Sequence, residues 1–237
     1  MKIVVEIQRY NPESDAEPYI QKYKVDAEPT DRLLTVLLGI KETQDPTLSL
    51  RKSCAHGVCG SDAMVINGKE ALACKTLIQD VVQEEGGVIR VEPLHNFPIQ
   101  RDLMIDQSKF FKNYMHVKPY FISSEEPKDK EFRQMPEERQ KFEEGTKCIL
   151  CVSCYSACPV VQEVNPNFLG PAAIVQAARF NDDSRDKGFE DRLPQLDSPD
   201  GIWPCESRFE CTRVCPRGIK ITRTINLTKR RIQKIKG

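Results

Sequence analysis

Residues 148–159 read CILCVSCYSACP, and the spacing Cys148-x2-Cys151-x2-Cys154-x3-Cys158 closed by Pro159 decides how the second half of the chain is organised. Two-residue gaps wrap three sulfurs around one small iron–sulfur cube, and the three-residue gap aims the fourth sulfur toward another. Pro159 has no backbone N–H and ends the loop. Zinc also accepts C-x2-C pairs, but it needs closed sets of four ligands, which an interleaved run does not serve.

Residues 205–216, CESRFECTRVCP, align with this run from the shared Cys-Pro end. Cys215-Pro216 takes the last position, so the earlier ligand positions fall at 211, 208 and 205, and residue 208 is Arg208. One ligand is missing. Counting then assigns Cys148, Cys151, Cys154 and Cys215 to a [4Fe–4S] cluster of the bacterial-ferredoxin kind. Cys158, Cys205 and Cys211 remain; three sulfurs do not hold a fourth iron firmly, so the expectation there is [3Fe–4S].

A third set precedes both. Residues 53–74 read SCAHGVCGSDAMVINGKEALAC, with Cys54-x4-Cys59, then Asp62 where a plant-type [2Fe–2S] loop has its third cysteine, then Cys74. Gly57 and Gly60 let the backbone curl and point amides at the sulfurs. Asp62 has two readings: an exposed loop aspartate, or an oxygen ligand to iron, and the register favours the second. With these sets all ten cysteines are placed, and none is left as a nucleophile. His56, His95 and His116 are scattered and read as structural. No G-x-G-x-x-G after a strand and no P-loop motif occurs, so nucleotide binding is not expected.

Composition agrees. The chain has 237 residues, with 35 Lys+Arg against 35 Asp+Glu. A neutral chain lacks the basic surplus nucleic acid demands. The best apolar runs, 33–40 and 169–178, fall well short of the ~18 residues of a membrane span. Residues 1–10 alternate like a strand, with no leader or transit pattern, which points to the cytosol, where disulfides rarely persist. Residues 2–8, Tyr19–Asp26 and Val88–Pro93 read as strands. A helix through Leu33, Leu34, Leu37, Leu38 and Lys41 follows Thr30 or Asp31 as N-cap. Further on the texture is helical: Leu103–Tyr120 carries a recurring apolar face, Ser123–Glu144 is charged and loop-like, and Pro171–Phe180 is a short buried helix with Pro at N1. The fold class is therefore α+β, with residues 1–105 as a [2Fe–2S] domain and residues 106–237 as a helical two-cluster domain.

The combination resembles the iron–sulfur subunit of succinate dehydrogenase and fumarate reductase (complex II), through RYNPESD (9–15), the 53–74 loop, PIQRDLMID (98–106), the 148–159 run, NPNFLGPAA (165–173) and CTRVCPRGI (211–219). The resemblance implies a β-grasp first domain and an all-helical second one. It also implies linear electron transfer through the three clusters, from a succinate-oxidising FAD subunit to a quinone at a membrane-anchor subunit. FAD, and any haem, would belong to partner subunits, and the chain would sit peripherally on the cytoplasmic face of a prokaryotic membrane. A quinol:fumarate reductase running the other way is the alternative, and a stand-alone ferredoxin-like carrier the alternative of another class.

Many of the family's ubiquinone-reducing members carry a histidine after the first cysteine of the second run and tryptophans after the first Cys-Pro. Here Glu206 follows Cys205, Val160 follows Pro159, and the one tryptophan is Trp203. Pro159, Trp203 and Glu206 are the quinone-proximal candidates, and the departures favour menaquinone. Residues 217–237 carry eight Lys or Arg and no acid, a face that suits solvent, anionic headgroups or an acidic anchor loop.

Overall fold

Ile3, Val5 and Ile7 are at most 2% exposed and alternate with outward-facing neighbours, so Lys2–Arg9 forms a strand, β1, with one buried face. It pairs antiparallel with β2 (Tyr19–Asp26), with Val5 opposite Tyr23. α1 (Leu33–Thr43) then buries Leu33, Leu34, Val36, Leu37 and Ile40 in the same core. Each such side chain contributes about 1.5–3 kcal/mol on leaving water. β3 (Ala63–Ile66) and β4 (Lys69–Leu72) form a hairpin closed by Asn67 and Gly68, at φ 48° and 78°. A turn with both centres left-handed matches the twist of the strands, and Asn-Gly tolerates it. After the single turn α2 (Ile78–Val81), β5 (Val88–Glu92) runs parallel to β1 and antiparallel to β3. The order β2-β1-β5-β3-β4, with one helix packed on the core, is a β-grasp. A short ribbon, β6 (Ile99–Arg101) with β7 (Met104–Ile105), follows.

This computed structural model describes residues 1–123, 127 and 131–237, and the chain divides into two units. The first is Met1–Gln107 with Ile149–Ala157; the second is Ser108–Cys148 with Cys158–Gly237. The described elements of the second unit are all helical. α3 (Ser108–His116) and α4 (Pro136–Thr146) open it, while the turn α5 (Ser153–Ser156) belongs to the first unit. A π-helical turn (Val160–Val164), α6 (Pro171–Asn181), α7 (Phe189–Leu196), α8 (Glu210–Arg213) and α9 (Ile221–Lys236) complete it. α6 starts after Gly170 with Pro171 at N1, is buried from Pro171 to Ala178, and packs against α4 and α9. No described helix is long and apolar enough to cross a membrane.

Each unit is locked by a buried arginine. In the first, Arg9 donates through Nε to Asp102 at 3.0 Å, through Nη1 to Asp45 and Tyr23, and through Nη2 to Thr47 at 2.9 Å. Asp102 also accepts the amides of Tyr10 at 3.0 Å and Ser49 at 2.8 Å. The end of β1 is thereby tied to the segment that enters the Cys54 loop. In the second unit Arg192 is fully buried and spends all five N–H donors. They reach Asp186 twice (2.7 and 3.0 Å), Asn181, and the carbonyls of Lys118 and Tyr120.

Three local expectations need correction. The helix expected over Leu103–Tyr120 is only Ser108–His116, because Asp102 turns left-handed at φ 47° and sends Met104 and Ile105 into the ribbon. Within Ser123–Glu144, residues from Pro136 onward are helical; Pro136 sits at N1 and Glu138 caps the Met135 amide at 2.8 Å. Residues 124–126 and 128–130 of that stretch lie outside the described residues. Neither Thr30 nor Asp31 caps α1, since Arg32 is extended in a bridge with Leu77 and takes the N-cap position, while Asp31 accepts the Glu28 amide instead. Residues 149–157 pack within the first unit. Ser156 donates its hydroxyl to buried Glu70 at 2.8 Å, the His95 amide donates to Ser156 Oγ at 2.8 Å, and Asn96 donates to the carbonyls of Tyr155 and Ser156.

Candidate metal centres

The Cys54–Cys74 loop curls through three left-handed residues, Ala55, Gly57 and Gly60, at φ 58°, 75° and 70°. That curl turns amides inward: Cys54 Sγ accepts the N–H groups of His56 and Cys59, both at 3.3 Å, and Cys59 Sγ lies 3.2 Å from Ser61 Oγ. Backbone donation from His56 and Cys59 lowers the Cys54 thiol to about 6, where it is a thiolate at neutral pH. Cys74 is fully buried, and burial together with the neighbouring Asp62 carboxylate raises its thiol to about 11. Asp62 itself is 2% exposed, so the exposed-loop reading fails. Its Oδ2 accepts the Cys74 amide at 2.6 Å, while Oδ1 is buried with no hydrogen-bond partner. A buried carboxylate oxygen without a donor costs on the order of 1–3 kcal/mol or more unless something cationic meets it. Three thiols, inward amides and one orphan oxygen fit a [2Fe–2S] cluster.

The two cysteine runs adopt the same local backbone, each seen within its own unit. In the first run Leu150 and Val152 are left-handed, at φ 53° and 72°, and Val152 caps α5. In the second, Ser207 and Phe209 occupy the aligned positions at φ 58° and 67°, and Phe209 caps α8. Left-handed Val and Phe cost about 1–3 kcal/mol each and persist where a site demands them. Arg208 thus stands on the same backbone turn as Cys151. Its side chain is half exposed and pairs with Glu206 at 2.7 Å and Glu163 at 3.8 Å.

Cys158, Cys205 and Cys211 line one cavity in the second unit, joined by Pro159, Glu206 and Arg208. Burial, with the neighbouring Cys211 and Cys205 thiols adding to it, raises Cys158 to about 11; burial raises Cys211 as well. Thr222 Oγ1 lies 3.5 Å from Cys211 Sγ and 3.0 Å from Thr212 Oγ1. Deprotonated thiols in such a place need a cation, and a three-sulfur rim around a cavity fits a three-iron cluster. Of the other candidates, Cys151 and Cys154 belong to the first unit and Cys148 and Cys215 to the second. Trp203 does not line the cavity. Its Nε1 donates to Asp197 Oδ1 at 2.9 Å, and Lys236 stands over its ring. Of the three histidines, His56 contributes its backbone amide to Cys54 Sγ.

Ser61 and Thr222 are the residues that sequence reasoning missed. Ser61 lay between Cys59 and Asp62, within the quoted loop. Thr222 had no signal, because it meets Cys211 only through the packing of α9 on α8. Among the described residues no three His, Cys, Asp or Glu side chains close on a point suited to one metal ion.

Residues 4–112 match the family described as 2Fe-2S iron-sulfur cluster binding domain, and residues 144–219 match the 4Fe-4S dicluster domain. The chain is 44% identical over 220 residues to the fumarate reductase iron-sulfur subunit of Mycobacterium tuberculosis, covering 92% of this chain and 87% of that one. It is 40% identical over 221 residues to the succinate dehydrogenase iron-sulfur subunit of Coxiella burnetii, covering 92% of each. Among solved structures it superposes on a chain of the Mycobacterium smegmatis Sdh1 complex in the apo form. That match has TM-score 0.86 and 28% identity and covers 99% of this chain and 97% of that one.

Proposed function

This chain belongs to the family of iron–sulfur subunits of succinate dehydrogenase and fumarate reductase, and on that premise we propose how its residues carry electrons. It passes single electrons from a succinate-oxidising flavoprotein partner, through three clusters, to a quinone at a membrane-anchor partner. Bound in their ligand sets, the clusters supply reversible one-electron carriers and no bond chemistry. Cys54, Cys59, Asp62 and Cys74 hold [2Fe–2S]; Cys148, Cys151, Cys154 and Cys215 hold [4Fe–4S]; Cys158, Cys205 and Cys211 hold [3Fe–4S]. The second set rests on the spacing of its cysteines. The catalytic site for succinate lies in the partner, and this chain orients and insulates the carriers. Residues 1–105 form the first electron-carrying domain and 106–237 the second, with the 149–157 loop packed on the first.

The observation that carries the reading is the orphan oxygen of buried Asp62, whose other oxygen holds the Cys74 amide in the loop that also carries Cys54 and Cys59. EPR of the full chain tests it. The oxidised chain should give a [3Fe–4S] signal, and stepwise reduction should add the [2Fe–2S] and then the [4Fe–4S] signal. Silence in all states would overturn it.

Fumarate reduction is the second reading, favoured by the fumarate reductase names of relatives from Mycobacterium tuberculosis and Haemophilus influenzae. Glu206 and Pro159, at the three-cysteine cavity, are proposed to face a menaquinone, with Trp203 nearby in sequence. Faster turnover with ubiquinone than with menaquinone analogues in membranes would count against that quinone. The chain would then lie peripherally on the cytoplasmic face, its basic α9 available to an anchor or to anionic headgroups.

A further inference from the structure

Gly60 sits between Cys59 and Asp62, buried and left-handed at φ 70°. A Cβ placed on it would lie 2.5 Å from Cβ and 2.9 Å from Cα of Cys151, and 3.3 Å from Cδ1 of Ile149. Real side chains do not reach such distances, so the backbone of the first cluster loop rests directly against a ligand residue of the next run. Both segments belong to the first unit. Gly68 offers an internal comparison. It closes the β3–β4 turn at φ 78°, and a Cβ there would meet nothing within 4 Å. The two glycines carry the same conformational demand, and they differ in what they touch.

Electron tunnelling falls exponentially with the gap between carriers, and close backbone packing is the means by which a protein sets that gap. We propose that Gly60 is a positioning residue for electron transfer: its missing side chain lets the Cys54–Cys74 loop pack against Cys151, and this contact sets the gap between the first and second clusters. One electron crosses. The donor site is oxidised by one electron, the acceptor site is reduced by one, and no bond forms or breaks. The inference rests on the ligand sets proposed above.

The test compares Gly60→Ala with Gly68→Ala in the full chain after iron and sulfide reconstitution. Iron content is measured first. The power saturation of the reduced [2Fe–2S] EPR signal is then measured, because a nearby paramagnetic [4Fe–4S] cluster speeds its relaxation. Gly68→Ala should keep the wild-type relaxation and [4Fe–4S] potential. Gly60→Ala should keep its iron, lose relaxation enhancement and shift the [4Fe–4S] potential, although the substitution lies in the other loop. Relaxation and potential equal to those of Gly68→Ala would overturn the inference. If Gly60→Ala loses iron, Ile149→Ala decides: it removes the side chain whose Cδ1 stands 3.3 Å from that Cβ position, loosening the packing beside Cys151 without adding a strained alanine, and unchanged relaxation there would overturn the inference. A wild-type chain that takes up no [4Fe–4S] cluster would overturn the ligand sets themselves, and iron content reveals that before any variant is compared.

Discussion

Asp62 Oδ2 accepts the backbone N–H of Cys74 at 2.6 Å, and the other oxygen of the same carboxylate is buried with no partner. One oxygen therefore braces the loop and the other is free to meet iron. Asp62→Asn should keep the brace and lose the anionic ligand, shifting the [2Fe–2S] potential and spectrum while the fold persists. Asp62→Cys should retain the cluster with a four-sulfur spectrum. Unchanged EPR and potential in Asp62→Ala would show that Asp62 only braces the loop.

Arg208 occupies the same left-handed-flanked turn as Cys151, so a sulfur placed there should point where a fourth ligand belongs. Arg208→Cys is expected to convert the three-iron site to [4Fe–4S]. The measurement is loss of the oxidised-state EPR signal with gain of one iron per chain. Retention of that signal at wild-type intensity would refute the ligand count.

Arg192 holds five acceptors in a planar fork, and a lysine ammonium has three donors at a single point. Arg192→Lys should leave buried Asp186 or the Lys118 and Tyr120 carbonyls unsatisfied. The expected loss is about 3–5 kcal/mol, the usual result of breaking a buried pair. Urea unfolding followed by circular dichroism at 222 nm checks it; a loss below about 1 kcal/mol, the range of an exposed pair, would contradict the role.

In the metal-free chain Cys54 is lowered to about 6 by the amides of His56 and Cys59, and Cys74 is raised to about 11 by burial and Asp62. The sign follows. Cys54 favours the folded loop as thiolate above its unfolded value, and that contribution disappears as pH falls through about 6. Cys74 favours it as thiol, and its contribution disappears as pH rises through about 11. Iodoacetamide at pH 7 should therefore label Cys54 well before Cys74, and Cys54 labelling should slow as pH drops toward 5. Residue-resolved mass spectrometry reads both rates; equal rates at pH 7 would contradict the assignment.

Much of the site was legible because ligand spacing is local. Cys-x2-Cys runs, the gap at Arg208 and the register of Asp62 involve residues a few positions apart, where chain geometry leaves little freedom. The strands of β1 and β2 and the buried helix at Pro171 were equally readable, since their periodicity and proline placement act within one element. The Leu103–Tyr120 face misled, because its apolar spacing suits a helix until Asp102, held by Arg9 and by the Ser49 amide, turns the chain into a ribbon.

By itself, then, the sequence determined which residues are candidates to hold iron, for that depends on residue type and short-range spacing. Tertiary structure alone decided that Ser156 would reach Glu70 across 86 positions and Arg9 would reach Asp102 across 93. It also decided that Gly60 would press on Cys151. Those contacts join segments with many chemically equivalent partners along the chain. Only the packing of the β-grasp core and the desolvation of its few buried charges select among them.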